Sequence, residues 1–299
     1  MVSAGLLTVR ATLSGGKISD LSVDLLRPLV SQLFLGQAPD AVLQKVSLLY
    51  TLCAQAQRTA AQAALDCAVG AVSSPVSDAA LWVENLHENL WRLMLDWPPA
   101  LGLPSASQAF VAWRAGRNRG NIAAQTDALL ADVVQELSMQ CLQQLPGTDA
   151  PVVPCAANLQ PAPWLAFCLG AAQGQPQLAI SASPRAAYLA RLAQVADAAQ
   201  ALRAQRPYPV ACVGSGGWGV AQVATARGVL THATQIEAGR VKSYRVWAPT
   251  DAHFSDARAL DALLSQQTLA SIEDARRALD LAILTLDPCV PFKVELHDA

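Results

Sequence analysis

The spacing of apolar residues constrains this chain more than any other feature of its sequence. Between Asp40 and Val69 they recur at steps of three and four, as Val42, Val46, Leu49, Cys53 and Ala56. Residues at this spacing lie on one face of an α-helix. We therefore predict one long helix from Asp40 to Val69, with Cys53 on its buried face.

Three further long helices are predicted by the same pattern, over 78–97, 122–144 and 185–205. The first of these should stop at Pro98-Pro99, because proline removes a helical hydrogen bond. It carries Glu84, His87 and Glu88, which predict a polar helix edge rather than a site. The stretch 107–121 holds Arg114, Arg117 and Arg119 with two glycines and predicts a solvated basic connection.

A last helix is predicted from Ser271 to Leu286. Asp274 stands three residues after Ser271, close to the position that a capping box requires. The chain should then turn at Asp287-Pro288.

Strand patterns occur at the start of the chain and again after residue 208. Residues 5–24 alternate around Gly15-Gly16 and predict a β-hairpin. A short strand over 209–213 precedes the glycines of 214–217, which favour a tight turn over a nucleotide site. The runs 228–236 and 240–246 predict a second hairpin. The fold class should be mainly α with small β elements, an α+β fold around a bundle of long helices.

Composition and length set the broad class. Of the 299 residues, 53% are hydrophobic and 15% are charged, which predicts a large core and a weakly charged surface. We expect one domain over 1–299, with halves 1–145 and 164–299 joined by a proline-rich connection, 146–163. The net charge of −2 offers no electrostatic case for nucleic acid or an anionic membrane.

Location and cysteine chemistry follow from the same inventory. The N-terminus MVSAGLLTVR lacks a signal-peptide pattern, and no apolar run approaches the roughly 20 residues of a membrane helix. We therefore expect a cytoplasmic protein. The seven cysteines form no C-x-x-C pair, which disfavours a disulfide framework, a closed zinc site and an iron–sulfur cluster.

Three segments carry the chemistry. They are Gly36-Gln-Ala-Pro-Asp-Ala41 followed by Cys53-Ala-Gln-Ala-Gln57; Ala226-Arg-Gly-Val-Leu-Thr-His232 followed by Ala248-Pro-Thr250; and Asp287-Pro-Cys289. In order and spacing they resemble the large subunit of [NiFe]-hydrogenases over nearly the whole chain. That family has a C-x-x-C motif on a helix, an A-P-R-G-x-L-x-H segment, a P-[ST] segment and a closing D-P-C-x-x-C-x-x-H.

The departures from that family concern the nickel ligands. One alignment puts Cys53 on the second, bridging cysteine of the first pair, with Tyr50 on the first and Gln57 on the histidine. A gap placed differently would put Cys53 on the first cysteine. Cys289 matches the first cysteine of the closing motif, while Phe292 and Glu295 replace the second cysteine and the histidine. The family's proton-transferring glutamate falls at Ala4.

The resemblance implies that a four-thiolate nickel site is lost and that the iron half is kept. Cys53 and Cys289 would hold one iron atom as a Fe(CN)2(CO) fragment, with no nickel. Thiolate suits this metal. The positions that hydrogen-bond the cyanides in the family match Arg227, Pro249 and Thr250, and Leu230 matches an apolar contact. We expect Glu295 to be a solvated residue rather than a ligand.

The combination is similar to the HupK/HoxV family of hydrogenase maturation proteins. Leu90-Trp-Arg-Leu-Met-Leu-Asp-Trp-Pro98 and the ending Asp287-Pro-Cys-Val-Pro-Phe292 add to this likeness. It implies a non-enzymatic scaffold that carries the iron fragment to a hydrogenase large subunit. Its partners would be chaperones of the small HypC type and the HypC-HypD complex. Two alternatives remain: a degenerate redox subunit, or a chaperone-binding protein with an empty pocket.

Overall fold

A computed structural model describes residues 5–72, 77–117, 120–147, 159–176 and 183–298. Its strands are β1 Leu6–Ser14, β2 Lys17–Leu26, β3 Val210–Ser215, β4 Trp218–Thr225, β5 Gly228–Glu237, β6 Arg240–Trp247 and β7 Phe292–Asp298. Its helices in the first half are α1 Pro39–Leu49, α2 Ala54–Ala68, α3 Asp78–Trp91, α4 Trp97–Ala100, α5 Ser107–Gly116, α6 Ile122–Leu129 and α7 Gln135–Gln144. Those in the second half are α8 Pro161–Cys168, α9 Pro184–Arg203, α10 Pro249–His253, α11 Arg258–Leu264 and α12 Ile272–Leu286.

The opening hairpin is confirmed and gains a third strand that the sequence did not predict. Strand β1 pairs antiparallel with β2 and parallel with β7, so the two ends of the chain share one sheet. Leu7 and Val9 of β1 are fully buried and pack in one cluster with apolar residues of α11 and α12. This packing fixes the end of α12, where the closing motif begins.

The second sheet is an antiparallel meander in the order β3-β4-β5-β6. The predicted hairpin of β5 and β6 is confirmed. The glycines after β3 make the predicted tight turn, with φ of +58° at Gly216 and +77° at Gly217. Strand β4 follows that turn, was not predicted, and is buried along its whole length. Helix α2 packs across β3, β4 and β5, so the core is not a bundle of helices alone.

The prediction of one helix over 40–69 was wrong. Helix α1 ends at Leu49, and α2 begins at Ala54, with Cys53 as its N-terminal flanking residue. The carboxylate of Glu84 accepts hydrogen bonds from the backbone N–H groups of Gln55 (2.8 Å) and Ala56 (2.9 Å). An acceptor at that place satisfies groups that every helix start leaves open. A side chain from another helix therefore sets the break, which local periodicity does not report.

The helix predicted to stop before Pro98 continues to Ala100. A wide π-type turn over Arg92–Asp96 precedes the prolines. The carbonyl of Met94, which would have bonded the missing N–H of Pro98, accepts a hydrogen bond from the Ala106 N–H at 2.9 Å instead. A partner outside the helix thus compensates for the loss.

The remaining helix predictions vary in outcome. The helix over 122–144 forms as α6 and α7 with a π-type turn between them, and α9 and α12 match their predicted spans. The Ser271 hydroxyl accepts from the Asp274 N–H at 3.1 Å, so the predicted cap is present. The basic connection was wrong over 107–116, where α5 forms; Arg119 lies outside the described residues. Helix α8 begins at Pro161, within the predicted connection, whose residues 148–158 also lie outside. Across the described ranges, no helix is both long and apolar enough to cross a membrane.

The packing of α2 on the second sheet depends on a glycine of β4. A methyl group on Gly219 of β4 would lie 1.9 Å from the Ala64 carbonyl oxygen and 2.5 Å from the Ala68 nitrogen, both in the backbone of α2. We expect Gly219→Ala to lower the free energy of unfolding by about 2–3 kcal/mol, because backbone must separate from backbone. A urea titration followed by circular dichroism measures this. Gly120→Ala is the matched control, since nothing lies within 4 Å of its added carbon; equal effects of both changes would contradict the prediction.

Candidate metal-fragment site

The Cys289 thiol lies just beyond the end of α12. Asp287 ends that helix in the left-handed conformation (φ +49°), which turns the chain toward α10. The backbone N–H of Cys289 donates to the Thr250 hydroxyl at 3.1 Å, and that hydroxyl donates to the Cys289 sulfur at 3.2 Å. The Arg27 Nη2 also donates to the sulfur, at 2.8 Å. Two polar donors therefore meet the sulfur atom of Cys289.

The Cys53 thiol lies at the start of α2, at the break between the two helices. Burial raises its pKa to about 12, and the nearby Cys289 acts in the same direction, while Arg227 opposes both. The Gln57 Nε2 donates to its sulfur at 3.6 Å. Without a bound metal, Cys53 therefore holds its proton at neutral pH.

A buried polar chain orients Gln57 toward Cys53. The His232 Nε2 lies 2.8 Å from the Gln57 Oε1, and the His232 Nδ1 lies 2.8 Å from the Tyr244 hydroxyl. Burial lowers the pKa of His232 to about 3, so the ring is neutral. It then donates to Gln57 and accepts from Tyr244. This pattern directs the Gln57 amide NH2 at the Cys53 sulfur.

Arg227 lies between the two cysteines and a buried acidic cluster. It follows β4, and its side chain is 6% exposed. Its Nη2 lies 2.8 Å from the Glu88 Oε2, and its Nε lies 3.3 Å from the Asp287 Oδ2. Burial alone would lower the pKa of Arg227, but Asp287, Glu88 and both cysteines hold it above its ordinary value. Its guanidinium thus stays charged, within electrostatic range of both thiols.

Asp287 is the shared anion of this region. Its carboxylate, 2% exposed, accepts from the Arg92 Nε at 2.6 Å and from the Arg191 Nη2 at 2.5 Å, and it also pairs with Arg227. Burial would raise its pKa, but the three guanidinium groups hold that pKa well below its usual range. The π-type turn after α3, helices α9 and α12 and the β4–β5 turn therefore converge on one carboxylate.

The predicted site residues come together as follows. Cys53, Cys289 and Arg227 lie within electrostatic range of one another, and Thr250 touches Cys289. Pro249 begins α10 and packs near Gly228. Leu230 is 1% exposed, within the core cluster against which Cys53 packs.

The residues that stand in place of the other hydrogenase ligands lie elsewhere. Phe292 and Glu295 lie on β7, where Glu295 pairs with Arg10 at 2.8 Å and with Lys293 at 2.7 Å. Ala4 lies outside the described residues. Over the described ranges, no group of three or more histidine, cysteine or acidic side chains is placed to hold a metal ion.

Sequence reasoning missed Arg27, Glu84 and Glu88. The polar edge predicted on α3 is instead largely buried, with Glu88 at 4% exposure. Burial raises the pKa of Glu84 to about 7, against the opposing effect of its bonds from Ala56 and Gln55. The i, i+4 spacing of the two glutamates could have suggested a shared helix face, but nothing local showed that it points inward. Both line a cavity of about 1060 Å³, which is also lined by Leu52 and Ala54, the chain neighbours of Cys53.

The charge cluster around Asp287 predicts a large effect of its removal. Asp287→Asn should lower the free energy of unfolding by about 3–5 kcal/mol, because buried arginines lose their shared counterion. Since the pKa of Asp287 is depressed, its contribution is present above about pH 4 and is lost as the pH falls further. Acid titrations of both proteins should therefore converge.

Asp127→Asn is the control for that change. Asp127 pairs with Arg203, and both side chains are nearly half exposed. An exposed pair contributes about 1 kcal/mol or less, so the control should unfold almost like the unsubstituted protein. Similar destabilisation by the two substitutions would show that the buried cluster contributes no more to stability than an exposed ion pair does.

Comparison with known proteins places this geometry in a family. No protein-family model matches the chain. The hydrogenase expression/formation protein HupK of Azotobacter vinelandii is 32% identical over 99% of this chain and 100% of its own length. HupV of Azotobacter chroococcum mcd 1 is 29% identical over the same shares, and HupK of Rhizobium leguminosarum bv. viciae is 25% identical over 100% of this chain.

Solved structures agree at the level of the fold. A Ni-Fe-Se hydrogenase chain from D. vulgaris Hildenborough has a TM-score of 0.61 at 11% identity, covering 92% of this chain and 94% of its own. A chain of an NAD+-reducing [NiFe]-hydrogenase has a TM-score of 0.54 at 14% identity, covering 92% and 93%. The chain has the fold of hydrogenase large subunits, and by its identity to HupK over its whole length it belongs to the HupK family of hydrogenase expression/formation proteins.

Proposed function

We propose that this protein is a non-enzymatic carrier in hydrogenase maturation that holds the Fe(CN)2(CO) fragment between Cys53 and Cys289. The observation that carries the proposal is that two thiols far apart in sequence lie within electrostatic range of each other and of the charged Arg227. Two thiolates can hold one metal of this kind. The relatives' role in hydrogenase formation supports such a cargo.

The charges around the thiols suit this cargo. Iron(II) with two cyanides is neutral, so two thiolates make the loaded unit an anion. Arg227 and Arg27 lie beside it with fixed positive charge, and charge-assisted hydrogen bonds to anions are among the strongest in proteins. Thr250 adds a hydroxyl next to Cys289, and Leu230 adds a buried apolar side chain.

An open site also suits a carrier better than a catalyst. Tyr50 and Phe292 provide no thiolate at the positions where the hydrogenase pattern has cysteine. The cargo would therefore have few protein ligands to break on leaving. In this scheme a HypC-HypD type complex is the donor and a hydrogenase large subunit is the acceptor.

Infrared spectroscopy tests the thiol pair. Protein purified without oxygen from a host with the maturation machinery should show cyanide and carbonyl stretching bands. Cys53→Ala and Cys289→Ala should each abolish them, and the double substitution should be no worse, because one thiolate alone makes a weak site. Arg227→Leu should shift the cyanide bands and weaken retention, since its hydrogen bonds adjust the ligands while thiolates hold the metal.

Cys168→Ala is the matched control, because Cys168 is also partly buried but packs in a different cluster. It should keep a full set of bands. A Cys53→Ala protein with unchanged bands would refute the site. An unsubstituted protein without iron or bands would favour the chaperone-binding alternative.

Metal content gives a second, independent readout. We expect the purified protein to contain iron and to lack stoichiometric nickel, because two of the four thiolates of a nickel site are missing. Elemental analysis by mass spectrometry measures both metals. Nickel equal to or above iron would favour the degenerate redox subunit instead.

A further inference from the structure

Arg27 contacts one of the two thiols of the proposed site directly. It follows β2, and its Nη2 donates to the Cys289 sulfur at 2.8 Å. Its Nε pairs with the Asp251 Oδ1 at 3.1 Å. A fixed cation therefore sits directly on one of the two proposed metal ligands.

The positive charge of Arg27 is less fully compensated than that of Arg227. Arg227 lies between two carboxylates that are 4% and 2% exposed. Arg27 has Asp251, whose side chain is 32% exposed, and water screens such a pair. The Arg27 guanidinium also presents one nitrogen to Asp251 and another to the sulfur. Part of its positive charge thus acts on whatever binds Cys289.

A pair of thiols without other ligands does not select one metal ion over another. Cysteine sulfur binds zinc, nickel and copper ions, and intrinsic affinity alone does not favour iron among them. The free ions and the proposed cargo differ in charge. A free divalent ion carries two positive charges, whereas the iron of the cargo is already neutralised by its two cyanides. A cation held against the sulfur disfavours the first and not the second.

We propose that Arg27 is a specificity-determining residue that makes the Cys53–Cys289 pair reject bare divalent cations. The inference rests on the proposed function for its cargo, but it concerns the metal-free protein and can be tested without the cargo. Arg27 and Thr250 together also occupy one side of the Cys289 sulfur, which leaves less room for a second metal to bridge from it.

Cobalt(II) is the probe, since its thiolate complexes absorb in the near ultraviolet. Metal-free, full-length protein is titrated without oxygen, and zinc(II) affinity is measured by competition with a coloured chelator. Arg27→Gln should bind both ions about tenfold or more tightly than the unsubstituted protein, because the repelling charge is gone. Arg27→Lys keeps the charge and should stay weak. Adding Cys289→Ala to Arg27→Gln should remove the absorption band.

Two further variants guard the interpretation. Arg10→Gln removes an arginine whose side chain is 47% exposed and pairs with Glu295, and it should leave cobalt affinity unchanged. Asp251→Asn removes the countercharge of Arg27 and should weaken cobalt binding, so a second variant tests the same claim if Arg27→Gln does not fold. Unchanged affinity in Arg27→Gln, or equal gains in Arg27→Lys and Arg27→Gln, would overturn the inference.

The outcomes separate this inference from the proposed function. If the infrared bands are absent but Arg27→Gln gains cobalt affinity, the carrier role fails and the exclusion of bare ions stands. If the bands are present but Arg27→Gln gains nothing, the carrier role stands and Arg27 is not the selecting residue.

Discussion

One buried carboxylate organises the region around the proposed site. Asp287 ends α12 and pairs with Arg92 of the π-type turn after α3, with Arg191 of α9 and with Arg227 of the β4–β5 turn. A buried ion pair adds little to net stability, but losing one partner is expensive, so such a cluster specifies one arrangement. The same residue turns the chain so that Cys289 leaves α12 beside Thr250. Cys289 and Arg227 are therefore placed by one shared anion.

Cys53, the other cysteine of the pair, is positioned by a different set of contacts. Glu84 caps the start of α2 and sets the break before Cys53, while Gln57, one turn later, donates to its sulfur. Glu84 and Glu88 lie on the same helix, and Glu88 pairs with Arg227. Two residues on one face of α3 therefore contact different parts of the site: Glu84 the start of α2, next to Cys53, and Glu88 the guanidinium of Arg227. The two halves of the site are coupled through helix α3.

The chain has the fold of a hydrogenase large subunit, with different residues at positions that match the nickel ligands of that family. Arg227 pairs with the buried Glu88, and Thr250 exchanges two hydrogen bonds with Cys289. Cys53 is the one cysteine left of the first family pair, and Phe292, at the place of the second closing cysteine, lies on β7 in the first sheet. The proposed carrier role requires only the groups that remain, two thiols with charged and hydroxyl donors beside them.

The sequence by itself determined the two hairpins, the helices α9 and α12, and the residues most worth examining, because turn residues, caps and motif order are local signals. The tertiary structure alone decided the break before Cys53, the strand β7, and the contact of Arg27 with Cys289. Each of these depends on a partner distant in sequence: Glu84 for the break, β1 for β7, and Cys289 for Arg27. Local periodicity reports which face of an element is apolar. It does not report which distant group satisfies a backbone N–H or faces a thiol, and those contacts define the site.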